Sequence, residues 1–155
     1  MNYWIEIVHE PVRHLAVVRF HSTPEEIAKR VRTAFGQVGA YLVREGVRPI
    51  GPPVSRYEMH DGEFEVATGF PVREPVPGDG TVVPLDLPEA DNATTVHVGR
   101  YEDLGRAYEA LRTGAAEAGH PVDEDAAMWE EYLTGPDEPA EKQRTVVHWP
   151  VAASA

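Results

Sequence analysis

Apolar and polar positions along the chain change period several times, and the changes mark elements. Leu15-Ala16-Val17-Val18-Arg19-Phe20 is an apolar, β-branched run of strand length, the pattern of a buried strand. Ser22-Thr23-Pro24-Glu25-Glu26 follows it and predicts a helix start. Thr23 is placed to cap, Pro24 suits the first helical position, and Glu26 closes a capping box at the positive end of the dipole. Ile27, Val31, Ala34, Phe35, Val38, Tyr41 and Leu42 then recur at spacings of three and four, which predicts an amphipathic helix ending near Gly46. Val54 to Glu58 and Phe64 to Val72 flank the turn His60-Asp61-Gly62. An Asp-Gly pair supplies the positive φ that a tight turn needs, so this segment predicts a hairpin.

A Pro- and Gly-rich passage from Arg73 to Gly80 interrupts all periodicity, and Val82 to Leu87 has the length of a short strand before Pro88. The pattern then returns, with Thr94 to Val98 as a strand, Glu102 to Ala118 as a helix, and Met128 to Leu133 and Arg144 to Val151 as strands. The second helix carries Leu104, Ala107, Tyr108, Leu111 and Ala115 on one face and ends at Gly119, with Pro121 close behind. Individual landmarks align between the halves. Glu25-Glu26-Ile27 matches Glu102-Asp103-Leu104, Glu45-Gly46 matches Ala118-Gly119, and Gly69-Phe70-Pro71-Val72 matches His148-Trp149-Pro150-Val151. Two copies of one βαββ unit are the simplest account. The expected fold is α+β: a single domain over 1–155, with repeat one at about 1–72, a linker at about 73–92 and repeat two at about 93–151. Such repeats, related by a pseudo-twofold axis, make an antiparallel sheet with two long helices and a central cleft of the kind that ligands favour.

Composition narrows the function classes. A chain of 155 residues is long enough to bury a core without staples, and with no Cys it has neither a disulfide framework nor a thiolate metal site or nucleophile. Glu6, His9, Glu10, Arg13 and His14 break up the first twenty positions, which exclude a signal peptide or membrane span there. A cytoplasmic protein is expected. The net charge of -12 argues against a phosphate-binding surface and hence against direct nucleic-acid binding; it maintains solubility and mildly favours cationic partners. His9, His14, His21, His60, His97, His120 and His148 are scattered without metal-ligand spacing, so neither a metal nor another cofactor is expected. His97 is placed to orient the start of the second helix. No Gly-x-Ser-x-Gly elbow or phosphate loop is present.

The most telling segment is Trp129-Glu130-Glu131-Tyr132-Leu133-Thr134-Gly135-Pro136, where carboxylates lie between large aromatics in a predicted strand. A carboxylate held in apolar surroundings tends to be neutral, ligated or paired with a cation. Strand alternation puts Met128, Glu130 and Tyr132 on one face and Trp129, Glu131 and Leu133 on the other.

These landmarks resemble the GyrI-like small-molecule-binding domain family, which also supplies the effector-binding part of multidrug-responsive transcription activators. The residues that carry the resemblance are His97-Val98-Gly99-Arg100-Tyr101, Glu130-Glu131-Tyr132-Leu133 with Pro136 downstream, and Trp149-Pro150-Val151, in that order on the duplicated frame. The resemblance implies a pocket lined by aromatics, with one buried Glu that pairs with lipophilic cations. The family's Glu is followed two positions later by Tyr, which selects Glu130 over Glu131. Tyr132 and Tyr101 would supply walls and hydroxyls, with Tyr57, Phe70, Trp149 and Trp129 as further aromatic lining. Ordinary packing is the alternative for these aromatics, and a solvated edge-strand carboxylate is the alternative for Glu130. No helix-turn-helix is apparent, so the ligand-binding half is expected without an output domain. Some members of the family hydrolyse cyclopropane-bearing toxins with a Glu and a Tyr, which makes Glu130, Tyr132 and Tyr101 the residues of a second reading. Inhibition of a DNA topoisomerase through protein contact is a third.

Overall fold

A computed structural model describes residues 2–135 and 137–152, so Pro136, at the end of the aromatic-carboxylate segment, lies outside the described residues. Eight strands and two α-helices follow in the order β1 (Glu6–Glu10), β2 (Arg13–Ser22), α1 (Ile27–Glu45), β3 (Val54–His60), β4 (Glu63–Val72), β5 (Val83–Leu87), β6 (Ala90–Val98), α2 (Leu104–Glu117), β7 (Met128–Tyr132) and β8 (Arg144–Pro150). A single 3-10 turn, Tyr101–Asp103, leads into α2. The chain divides into two compact units, residues 12–88 and residues 1–11 with 89–155.

In the unit of residues 12–88, antiparallel pairing gives the strand order β3-β4-β2-β5. The stripe on α1 closes a core of Ala16, Val38, Tyr41, Leu42, Val72, Val76 and Val82. The helix stops where Gly46 takes φ 68° and Val47 N–H reaches back to the Leu42 carbonyl at 2.9 Å, as a left-handed C-terminal glycine dictates. The β3–β4 turn carries Asp61 at φ 50° and Gly62 at φ 81°, the two positive values of a type I′ hairpin. The expected capping box does not form. Residues 24–26 make a turn closed by Glu26 N–H on the Thr23 carbonyl at 3.2 Å, and the helix begins at Ile27 with no side-chain cap.

The second unit repeats this wiring, with the antiparallel order β7-β8-β6-β1 and a core of Ala93, Ala107, Leu111, Ala115, Val122, Val147 and Trp149 under α2. α2 is followed by Gly119, φ 82°, after which His120 N–H bonds to the Ala115 carbonyl at 2.9 Å. The registers match residue for residue: Phe70 faces Ala16 as Trp149 faces Ala93, and Val54 faces Gly69 as Trp129 faces His148. By that count Ser55 stands where the other unit has Glu130, and Tyr57 where it has Tyr132. Two elements differ from the pattern reading. β6 begins at Ala90 rather than Thr94, and Glu6–Glu10 forms β1 on its edge. The mixed polarity of β1 hides it from any periodicity test; cross-strand partners such as His9 Nδ1 with Asp91 at 2.7 Å hold it in place.

Candidate functional site

The site brings Tyr101, from the 3-10 turn, and Tyr108, from α2, to side chains of β7. β6 leads into the helix through Gly99, whose φ of 138° suits only glycine and whose N–H donates to the Gln143 carbonyl at 2.8 Å. His97, fully buried, spans this corner: its Nε2 donates to the Arg100 carbonyl at 2.9 Å and its Nδ1 takes the Tyr3 hydroxyl at 2.8 Å. The imidazole therefore orients the helix entry, as its sequence position suggested. Tyr101 then opens the 3-10 turn, and Tyr108 follows two helical turns later on the same face.

Both tyrosines reach toward Glu130, which is 5% exposed. Its Oε1 accepts the Tyr132 hydroxyl at 2.8 Å and its Oε2 accepts the Tyr108 hydroxyl. Tyr101, 38% exposed, stands edge-on to Tyr132 with centroids 5.9 Å apart and rings at 86°. Burial, and then the Glu130 charge, raise the Tyr101 phenol above its ordinary 10.0, so the negative charge is felt across the cluster. Trp149 backs the group, edge-on to Tyr108 at 6.1 Å and 75°. It is itself fixed by Nε1 donating to the Asp123 carbonyl at 2.9 Å and by the Arg112 guanidinium 5.2 Å above its ring.

In the sequence Tyr108 is one more position of the helix stripe, with no local pattern to mark it as part of a site. The available signal was its hydroxyl, because a tyrosine on a buried stripe must deliver that group to a partner. Tyr108→Phe is expected to lower stability by about 1 to 3 kcal/mol, since it removes a donor from a buried carboxylate. An unchanged urea midpoint would show that the bond contributes nothing.

The remaining candidates separate from this cluster. Trp129 and Glu131 point to the opposite face of β7, where Trp129 lies flat on His148 at 3.5 Å and Glu131 Oε1 meets His148 Nε2 at 2.6 Å. Trp129 therefore does not line the tyrosine cluster, and Glu131 has a different partner from Glu130; period-two alternation is the reason. Tyr57 and Phe70 belong to the unit of residues 12–88. There Tyr57 is edge-on to Phe64 at 6.1 Å, and Phe70 packs on Phe35 at 5.8 Å beside the core. At the position matching Glu130, Ser55 is buried and bonded to Thr68 Oγ1 at 2.8 Å, so a carboxylate stands at this register in one unit only.

Among the described residues, Glu58, His60 and Glu65 bring three possible metal-ligand atoms within 4.8 Å of one another. Each carboxylate there also meets an arginine, Glu58 with Arg56 and Glu65 with Arg19 at 3.2 Å, which makes the cluster an ion-pair network. A shallow surface depression of about 420 Å³, lined by Val98, Thr134, Glu138, Glu141, Lys142 and Arg144, has a mixed-charge wall without aromatics. No described helix is long and apolar enough to cross a membrane.

The two units share one antiparallel strand order with a helix on each, a mixed α/β fold. The chain belongs to the GyrI-like small molecule binding domain family, whose model matches residues 4–152. No curated protein matches it. Among solved structures it is similar to the C-terminal domain of EcmrR, at 18% identity and TM-score 0.78, covering 99% of this chain and 100% of that one. In the EcmrR–DNA complex the TM-score is 0.79 at 17% identity, and the match covers 96% of this chain but spans only 57% of the EcmrR chain. It is also similar to a hydrolase from Listeria innocua, with 17% identity, TM-score 0.67 and coverage of 96% and 91%. SAV2435, solved bound to tetraphenylphosphonium, has 12% identity, TM-score 0.65 and coverage of 98% and 94%. At these identities the likeness is one of fold.

Proposed function

We propose that this domain binds hydrophobic cationic small molecules at the tyrosine cluster around Glu130. The observation that carries the reading is a carboxylate that is almost wholly removed from water yet held by tyrosine hydroxyls, with the partly exposed Tyr101 ring edge-on to Tyr132. A buried negative charge favours a cation, and each ring face in contact with it adds roughly 0.5 to 2 kcal/mol. Tyr101, the most exposed member, offers the route from solvent. Capture of a phosphonium cation by SAV2435, a protein of the same fold, supports the ligand class. The protein would sequester such compounds or report them to a partner.

Titration of tetraphenylphosphonium into wild type and Glu130→Gln tests this. Glutamine keeps the shape and removes the charge, so the variant is expected to bind the cation at least roughly tenfold more weakly while a neutral aromatic of similar size binds both proteins alike. Equal losses for cation and neutral probe would sink the reading.

A second reading is supported by the 2.8 Å contact of Tyr132 with Glu130 and by the Listeria hydrolase among the fold's relatives. Here Glu130 removes a proton from water, the oxygen attacks a strained ring carbon, and the tyrosines supply the proton taken up by the departing atom. A ring-opened water adduct recovered after incubation with a cyclopropane-bearing alkylating agent would favour it over simple binding.

A further inference from the structure

Behind the tyrosine cluster, on the opposite face of the same strands, lies a second set of buried ionisable groups that ligand binding as described does not use. His148 Nδ1 meets Glu10 Oε2 at 2.8 Å, and its Nε2 meets Glu131 Oε1 at 2.6 Å. Glu10 also accepts Asn92 Nδ2 at 2.5 Å. Glu10, Asn92, Glu131 and His148 are all less than a tenth exposed, and they tie together β1, β6, β7 and β8. Trp129 stacks on the imidazole at an interplanar angle of 2°. The two residues flanking Glu130 in sequence, Trp129 and Glu131, are therefore both held by the same ring. β7 is only five residues long and paired with β8, so this grip anchors the stretch of backbone from which Glu130 projects.

The chemistry of the grip requires a proton. Carboxylate oxygens only accept, so an imidazole with a carboxylate on each nitrogen makes both bonds only as the doubly protonated ring. Once that proton leaves, one nitrogen presents a lone pair to a carboxylate at hydrogen-bond distance in a buried site, and that side of the grip opens. Burial opposes the charged ring, but the bonds to Glu10 and Glu131 and the two negative charges outweigh it, and His148 is raised above its ordinary 6.5.

We propose that Glu10, His148 and Glu131 form a proton-held clamp that positions Glu130, so that cation binding at the tyrosine cluster is regulated by protonation of a histidine on the other face of the sheet. The proposal rests on the cation-binding reading above. His148 is a positioning residue and does not touch the ligand. The charged or titratable groups that face it on these strands are Glu10 on β1 and Glu131 on β7; Glu6 and Arg144 lie further along the same face, and β6 contributes the neutral Asn92.

The test is an NMR pH titration of the wild type with labelled histidine and tyrosine, with tetraphenylphosphonium affinity measured at each pH and repeated on His148→Asn. The affinity should hold while the His148 ring is doubly protonated and fall on the order of tenfold as that ring loses its proton, with the Tyr108 and Tyr132 signals moving at the same midpoint. His148→Asn should bind weakly with a flat profile over that range. If wild type does not bind the cation yet the tyrosine signals follow His148, the ligand class is wrong and the clamp stands. Tyrosine signals and affinity that ignore the His148 midpoint would overturn the clamp, and the wild-type titration alone decides this even if the variant fails to fold.

Discussion

Gly69→Ala is expected to cost about 4 kcal/mol or more, enough to unfold much of a domain whose total stability is typically about 5 to 15 kcal/mol. Gly69 sits in the interior of β4, paired with Val17 of β2 on one side and Val54 of β3 on the other. A Cβ built there would lie 1.8 Å from the Ala16 carbonyl oxygen, 2.8 Å from its carbon and 2.9 Å from the Val17 Cα. All three obstacles are backbone atoms in a central ladder, so no side-chain rotation relieves the clash and the strands must part. Backbone conformation is not the reason, because this glycine is absent from the positive-φ set. Equilibrium urea unfolding measures the effect: the variant should have a much lower midpoint or no folded baseline. A midpoint near wild type would show that the β2–β4 approach is looser than described.

His148→Ala is the second large effect, expected at about 3 to 5 kcal/mol. The substitution leaves Glu10 and Glu131 buried without the cation between them and strips Trp129 of the ring it stacks on. Adding Glu131→Gln to the variant should recover part of the loss by lowering the negative charge that the imidazolium offset. The pH dependence follows from the direction of the shift. Because His148 is raised in the folded state, its contribution is fully present below the ordinary 6.5 and is lost as pH rises through the raised value. The stability gap between wild type and His148→Ala should therefore be widest at the acid side of that window and narrow above it. Urea midpoints measured across the range check this, and a gap that widens with pH would contradict the assignment of an imidazolium.

Much of this architecture was legible in one sequence because it is written in local periods. Spacings of three and four gave both helices and the glycines that end them, and Asp61-Gly62 gave the hairpin, since each depends on a few neighbouring dihedrals. Alternation at Met128–Tyr132 also separated Glu130 from Glu131 correctly, since the side to which a strand residue points is a property of the backbone alone. The family was recognisable for the same reason, as an order of local landmarks.

What local pattern could not supply is partnership over distance. Thr23 had the right chemistry for a cap, yet the chain turns first and the helix starts at Ile27. Tyr108 looked like one more member of an apolar stripe until α2 brought its hydroxyl to a carboxylate 22 residues away. Alternation put Trp129 on the far face of β7, but that its ring lies flat on His148 there is a contact between strands that no local pattern shows. β1 gave no periodic signal because its place on β6 is decided by cross-strand partners some 80 residues away, as with His9 and Asp91. Sequence by itself determined both helices, most of the strands and the face on which Glu130 stands, all of which follow from backbone geometry over a few residues. Only the tertiary structure decided that two tyrosines hold that carboxylate and that His148 joins Glu10, 138 positions earlier, to Glu131. Hydrogen bonds and burial act between groups that folding brings together, and their strength depends on water being excluded from all of them at once.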